Sequence, residues 1–149
     1  MTINFDMDGT IADLYAVENW LADLRNYSVR PYAEAEPLVP MRLLSYMLSF
    51  VQRCGHTVNI ISWGSKTATP AYDDAVNFAK RKWLAEQLPN FTFDNVFIVP
   101  YGTPKSSLAS GILFDDEAQN RAEWEQTAGN TAFAPADIFK VLANLPYTA

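Results

Sequence analysis

Ile3-Asn4-Phe5-Asp6-Met7-Asp8-Gly9-Thr10 is the stretch on which the reading of this chain turns. A short β-prone run ends in two carboxylates one residue apart, then Gly and Thr. Side chains of an extended segment alternate faces, so Asp6 and Asp8 can point the same way. Two anions that close repel unless a cation or a shared proton lies between them. Gly9 permits a sharp turn and brings backbone N–H groups near a ligand. The pattern reads as the opening of a magnesium and phosphate site. The plain alternative is an acidic turn after a strand, because Asp and Gly are ordinary turn residues.

Outward from this stretch the chain alternates strands and helices. A strand over Thr2–Phe5 is followed by a helix over about 12–25, with Leu14, Val17, Leu21 and Leu24 on one face. The segment 26–38 reads as irregular. A second helix is expected over about 41–54, with a stripe of Leu43, Leu44, Met47, Leu48 and Val51 and with Gly55 as its left-handed cap. A strand over 57–62 opens into Trp63-Gly64-Ser65-Lys66. Thr69 and Pro70 then read as N-cap and first residue of a helix reaching about Leu88, with Tyr72, Val76, Ala79 and Trp83 inward. Strands at 95–99 and 112–114, a helix to about Gln126, a strand near 131–133 and a helix over 135–145 complete the order. Strands separated by helices imply parallel βαβ units. The expected fold is α/β: a three-layer, Rossmann-like parallel sheet with helices on both faces and a minimal cap insertion within about 15–55 of a single domain, 1–149.

Ligands of such sheets bind at the carboxyl ends of the strands. There the sequence places Asp6 and Asp8, then Ser62, then Asp115 and Asp116, with Lys105 in the loop before strand 112–114. Together they form an inventory for phosphoryl transfer: a carboxylate nucleophile, a carboxylate for proton transfer, oxygen ligands for magnesium, and a hydroxyl and an ammonium for phosphate oxygens. Singly each has a plain reading. Ser62 can be a strand-end residue, Lys105 a solvated lysine, and Asp115-Asp116-Glu117 an acidic helix start favoured by the macrodipole. Their arrival together at strand ends favours the site.

At these residues the chain resembles the haloacid dehalogenase superfamily of phosphatases. Phe5-Asp6-Met7-Asp8-Gly9-Thr10-Ile11 resembles its first motif, Ile60-Ile61-Ser62 its second, Lys105 its third and Leu113-Phe114-Asp115-Asp116 its fourth. The resemblance implies that Asp6 attacks phosphorus, and that Asp8 protonates the leaving oxygen and then activates water. It implies Mg²⁺ held by Asp6, the Asp8 backbone carbonyl and Asp115, with Asp116 supporting the metal through water or orienting Lys105. Gly9, Thr10, Ser62, Trp63 and Lys105 form the expected phosphate-binding set. Magnesium and Lys105 offset the repulsion between an anionic nucleophile and an anionic phosphate. Dehalogenating members lack an Asp at the position of Asp8, so hydrolysis of phosphomonoesters is the implied reaction. In size and first motif the chain is also similar to small 5'-deoxyribonucleotidases.

Composition bounds the partners. With 11 Lys and Arg against 17 Asp and Glu, the net charge is −6, which disfavours long nucleic acid and leaves room for a small phosphorylated substrate if a metal supplies positive charge. The apolar fraction of 49% belongs to a globular chain, not a disordered one. Cys54 is the single cysteine, so no intrachain disulfide is possible. No apolar run approaches the roughly 18 residues of a membrane helix. With a strand beginning beside Met1 and no room for a signal peptide, the expected location is cytoplasmic. Nothing in the pattern sets an oligomeric state.

Tyr15, Tyr27, Tyr32 and Trp63 are candidates for stacking on a nucleobase, with core packing as their alternative. Lys66, Arg30 and Arg42 are candidates for further substrate charge. Lys80-Arg81-Lys82 reads as a solvated helix face, Trp20 and Trp83 as core, and His56 as a turn residue. A phosphatase of nucleic-acid ends and a non-enzymatic phosphoacceptor or binding module are the rival functions. A receiver module is disfavoured because the strand at 95–99 ends in Val99-Pro100, with no acceptor Asp.

Overall fold

The strands of this chain read as near-continuous apolar runs because the sheet is covered on both faces. The computed structural model of the chain describes residues 1–146. In chain order its elements are β1 (Thr2–Phe5), β2 (Ala12–Asp13), α1 (Trp20–Arg25), α2 (Arg30–Glu34), β3 (Glu36–Pro37), α3 (Met41–Arg53), β4 (Thr57–Trp63), α4 (Pro70–Gln87), β5 (Asn95–Val99), β6 (Ile112–Phe114), α5 (Ala118–Glu125), β7 (Thr131–Phe133) and α6 (Ile138–Ala143). Five strands form one parallel sheet in the order β5-β4-β1-β6-β7. Ile3, Phe5, Val58, Ile60, Ile112 and Phe114 pack under α3, α4 and α6, where Leu44, Leu48, Val51, Trp83, Ile138 and Leu142 are buried. Ile61 and Leu113 point to the other face and pack on Trp124 of α5. The fold is therefore the expected three-layer α/β sheet. Among the described residues, no helix is long and apolar enough to cross a membrane.

The helix ends follow local chemistry. Thr69 caps α4 by accepting from the Tyr72 amide at 3.2 Å, and Pro70 sits in the first turn. Beyond α3, Gly55 adopts φ +92°. There the Gly55 and His56 amides donate to the Gln52 and Val51 carbonyls, which closes a Schellman turn. His56 is thus a turn residue as read.

Three segments differ from expectation. The helix expected over 12–25 is broken into β2, a 3-10 turn at Leu14–Ala16 and the short α1, with Asn19 left-handed at φ 60° between them. The outgoing chain pairs antiparallel with β3 (Ala12 with Pro37, Asp13 with Glu36), which forbids helix there. Leu14 and Leu24 still find cover, packing with Tyr32 on Tyr72, Val76 and Ala79 of α4, whereas Leu21 is exposed. The segment 26–38 is not irregular, since it carries α2, whose second residue is Pro31, and β3. The last helix begins as a 3-10 turn at Pro135–Asp137 and continues as α6. On α3, Leu44, Leu48 and Val51 are buried whereas Leu43 is exposed. α3 packs on β4 and α6, so residues 12–37 are the part of the β1–β4 connection that precedes the sheet-covering helix.

A row of amides crosses the sheet interior. Asn4, Asn59 and Asn95 are register partners on neighbouring strands. Asn95 donates to Asn59 at 3.0 Å, Asn59 to Asn4 at 3.0 Å, and Asn4 to the Ile112 carbonyl at 2.9 Å. Asn4 and Asn59 are buried and Asn95 is exposed at the edge strand, so a one-residue slip would strand the two buried amides and the row fixes register. Asn59→Leu should destabilise the chain by about 1–3 kcal/mol, because it leaves the buried Asn4 oxygen unpaired. A urea-unfolding midpoint equal to that of the unaltered chain would remove the row from the account.

Candidate active site

Strand order reverses between β1 and β6, because β4 and β5 follow β1 on one side and β6 and β7 lie on the other. The carboxyl ends at such a switch point are where α/β sheets bind ligands. Asp6 leaves the end of β1 and donates its amide to the Phe114 carbonyl at 2.9 Å, which fixes it beside Asp115 at the end of β6. The chain then closes tightly, with the amides of Thr10, Ile11 and Ala12 all donating to the Met7 carbonyl at 3.0 Å. Gly9 makes this loop possible. It takes φ +82°, and a Cβ there would run into the Asp116 carboxylate.

Asp6 is held by two donors. Lys105 Nζ donates to Oδ1 at 2.8 Å, and the Thr10 hydroxyl donates to Oδ2 at 2.9 Å. Lys105 is buried and also donates to Asp115 at 2.7 Å. An ammonium has three protons, so one is left for a ligand. Asp115 is fully buried; it accepts the Glu117 amide at 2.9 Å and the Asn120 side chain at 3.3 Å. The Asp116 amide donates to the Thr10 hydroxyl at 3.1 Å. One carboxylate oxygen from each of Asp6, Asp115 and Asp116 lies within 4.8 Å of the others, and these three could hold a metal ion. The donors are oxygen only, which suits a hard cation. Asp116, implied to support the metal through water or to orient Lys105, stands in the same cluster as Asp6 and Asp115, and the bonds of Lys105 go to those two instead.

The electrostatics record the crowding. Burial, then the neighbouring Asp6 charge, push Asp116 up to about 8. Burial and Asp6 also raise Asp115, against Lys105. Burial alone would lower Lys105, but Asp6 and Asp115 outweigh it and hold the ammonium above its ordinary value. Between about pH 4 and 8 the folded chain keeps a proton on Asp116 that the unfolded chain has lost, so stability falls as pH rises through this window. In chelator, the melting temperature should decline from about pH 5 to pH 8, and the Asp116→Asn variant should decline less. Identical slopes for the two proteins would contradict the assignment.

Asp8 turns to a second ammonium that the sequence reading missed. Lys80 of α4 is 1% exposed and donates to Asp8 Oδ2, Ser62 Oγ and the Trp63 carbonyl, each at 2.7 Å. The reading of Lys80-Arg81-Lys82 as a solvated face is therefore corrected. It holds for Arg81 and Lys82 and fails for Lys80, which lies four residues from Val76 and three from Trp83, on the inward stripe. That periodicity was the available signal. Burial raises Asp8, and Lys80 opposes the rise without cancelling it.

A cavity of about 340 Å³ opens over Asp6, Asp8, Lys105 and Asp116. Residues 12–37 supply one wall, through Leu14, Tyr15, Trp20, Leu21, Leu24 and Tyr32, and the loop after β4 supplies another. Trp63 and Tyr101 pack together there, with ring centres 4.9 Å apart and planes tilted by 58°. Several expected contacts fall elsewhere. Gly9 donates its amide to Ala12 and Thr10 to Met7, so both shape the loop instead of presenting N–H groups to phosphate. Ser62 is fully buried behind Lys80 and does not line the cavity. Trp63 lines it. Of the aromatic candidates, Tyr15 and Tyr32 line it too, whereas Tyr27 packs edge-on to Tyr72 outside it. Trp20 is a wall residue more than a core one. Arg30 is engaged by Asp23 and Glu34, Arg42 lies on α3 away from the site, and Lys66 is the one of the three charge candidates at the rim.

No family model and no curated protein sequence matches the chain. Among solved structures it is similar to a chain of the Pnkp1/Rnl/Hen1 complex, with TM-score 0.56 and 14% identity over 89% of this chain and 44% of that one. The chain thus spans less than half of that neighbour, and at this identity the likeness is one of fold.

Proposed function

We propose that this chain is a Mg²⁺-dependent phosphomonoester hydrolase of the haloacid dehalogenase type, working through an aspartyl-phosphate on Asp6. The observation that carries this reading is the setting of Asp6. Its carboxylate faces a cavity at the switch point, aimed by Thr10 and Lys105, beside two further carboxylates able to share a cation. Asp6, Asp115 and Asp116 crowd together with Lys105 as the one ammonium touching the first two, and the raised proton affinity of Asp115 and Asp116 marks a place where a cation would take over the role of the proton. Asp6, Asp115 and Asp116 would hold the Mg²⁺, which when bound supplies compensation for the charge of the phosphoryl group.

The chain's own groups divide the remaining work. Asp6 attacks phosphorus, and the spare proton of Lys105 meets a phosphoryl oxygen as charge develops on it. Asp8 gives a proton to the departing oxygen. The same carboxylate then takes a proton from the water that attacks the aspartyl-phosphate. Its raised proton affinity suits the first of these steps.

The substrate class we infer is a small phosphomonoester, with a nucleoside monophosphate foremost. A cavity of about 340 Å³ suits a ligand of that size, and Tyr15, Trp63 and Tyr101 line it with aromatic surface for a base. Nucleoside monophosphates, sugar phosphates, phosphopeptides and phosphorylated DNA ends, compared side by side, test this. The highest kcat/KM should fall to a mononucleotide. Polymer ends turned over far faster than every mononucleotide would contradict the small-substrate reading and leave the phosphatase reading standing.

A further inference from the structure

Lys80 is a buried lysine whose three protons are all committed. They go to Asp8 Oδ2, Ser62 Oγ and the Trp63 carbonyl, and the Tyr32 ring lies 4.8 Å beneath the ammonium. It is 1% exposed and does not line the cavity, so it cannot meet a phosphate oxygen without giving up a bond. In this it differs from Lys105, which lines the cavity and keeps a proton free. The contrast assigns the two ammoniums different tasks.

We infer that Lys80 is a positioning residue for Asp8, clamping that carboxylate where it meets the leaving oxygen. Two of the three bonds anchor the ammonium to β4, and the third reaches across to the loop after β1. Asp8 has no comparable anchor from its own loop: the amides of Thr10, Ile11 and Ala12 satisfy the Met7 carbonyl, not its side chain. Asp8 itself lines the cavity, whereas Lys80 stays behind it. Tyr32 belongs to the inserted segment, so the insertion packs on this clamp as well as walling the cavity. The inference rests on the phosphatase reading above, because it gives Asp8 a partner in the leaving group.

The test combines kinetics with structure. Lys80→Met keeps an unbranched stem as far as Cε and removes the charge and the donors. Its kcat should fall by about 10²-fold or more on an alkyl phosphate, where protonation of the leaving oxygen matters. On para-nitrophenyl phosphate, whose leaving group needs little help, it should fall less than about 10-fold. Asp8→Asn should show the same selective loss, and Lys80→Met/Asp8→Asn should be no worse than Asp8→Asn alone, since both act through one step. Lys80→Gln, which retains donors, should recover part of the alkyl-phosphate rate, and it serves where Lys80→Met does not fold. Equal losses on both substrates, or losses that multiply in the double variant, would overturn the assignment. A crystal structure of Lys80→Met separates this from the underlying reading. Asp8 displaced from its place supports the clamp even if no phosphomonoester is turned over, and Asp8 unmoved overturns it even if one is.

Discussion

Asp6→Asn will hydrolyse no phosphomonoester at a measurable rate while keeping the fold of the unaltered chain. The amide is isosteric with the carboxylate but is not a nucleophile toward phosphorus, and losing the nucleophile from a site that acts as a unit costs more than about 10⁴-fold. Its effect on stability should be small in the absence of metal. Asp6 gives up its ion pair with Lys105, yet its charge also raises Asp115 and Asp116, and removing it relieves that crowding. Circular dichroism and a thermal melt alongside the rate assay distinguish a chemical loss from unfolding. Asp6→Asn activity within 10-fold of the unaltered chain would assign the chemistry elsewhere.

Removal of the divalent cation should have the next largest effect. Excess chelator should stop turnover, and added Mg²⁺ should restore it. Asp115→Asn should raise the Mg²⁺ concentration needed by about 100-fold, because a fully buried carboxylate beside Asp6 becomes a neutral amide. The same change leaves Lys105 with Asp6 as its single charged partner, so the ammonium should remain in place. A titration of activity against free Mg²⁺ reads both points. Full activity in chelator would remove the metal from the account and leave the carboxylate cluster as a structural feature.

Much of this site was legible because strand ends are short and local. Phe5-Asp6, Ile61-Ser62 and Phe114-Asp115 each mark the point where an apolar run meets a polar residue, and parallel topology brings those points to one edge. Lys105 was legible as the cation in the loop before β6. What escaped was set by tertiary contact. The apolar spacing of Leu14, Val17, Leu21 and Leu24 mimics a sheet-covering helix, but β2 pairs with β3 and diverts the chain to wall the cavity. Lys80 escaped for a different reason. A lysine between Arg81 and Trp83 reads as solvated until its phase against Val76 and Trp83 is counted, and its partner Asp8 lies 72 residues away. Gly9 and Thr10 were expected at the phosphate, whereas their amides close the loop, which became visible only with the Met7 and Ala12 carbonyls in place.

The central claim is covalent chemistry at Asp6, and trapping the phosphoryl group tests it most directly. Asp8→Asn, incubated with para-nitrophenyl phosphate and Mg²⁺ and then quenched in acid, should accumulate a phosphoenzyme, because attack on a good leaving group survives while hydrolysis slows. Peptide mass mapping should place one phosphoryl group on Asp6. Label on another residue, or turnover of the substrate with no label at all, would contradict the account.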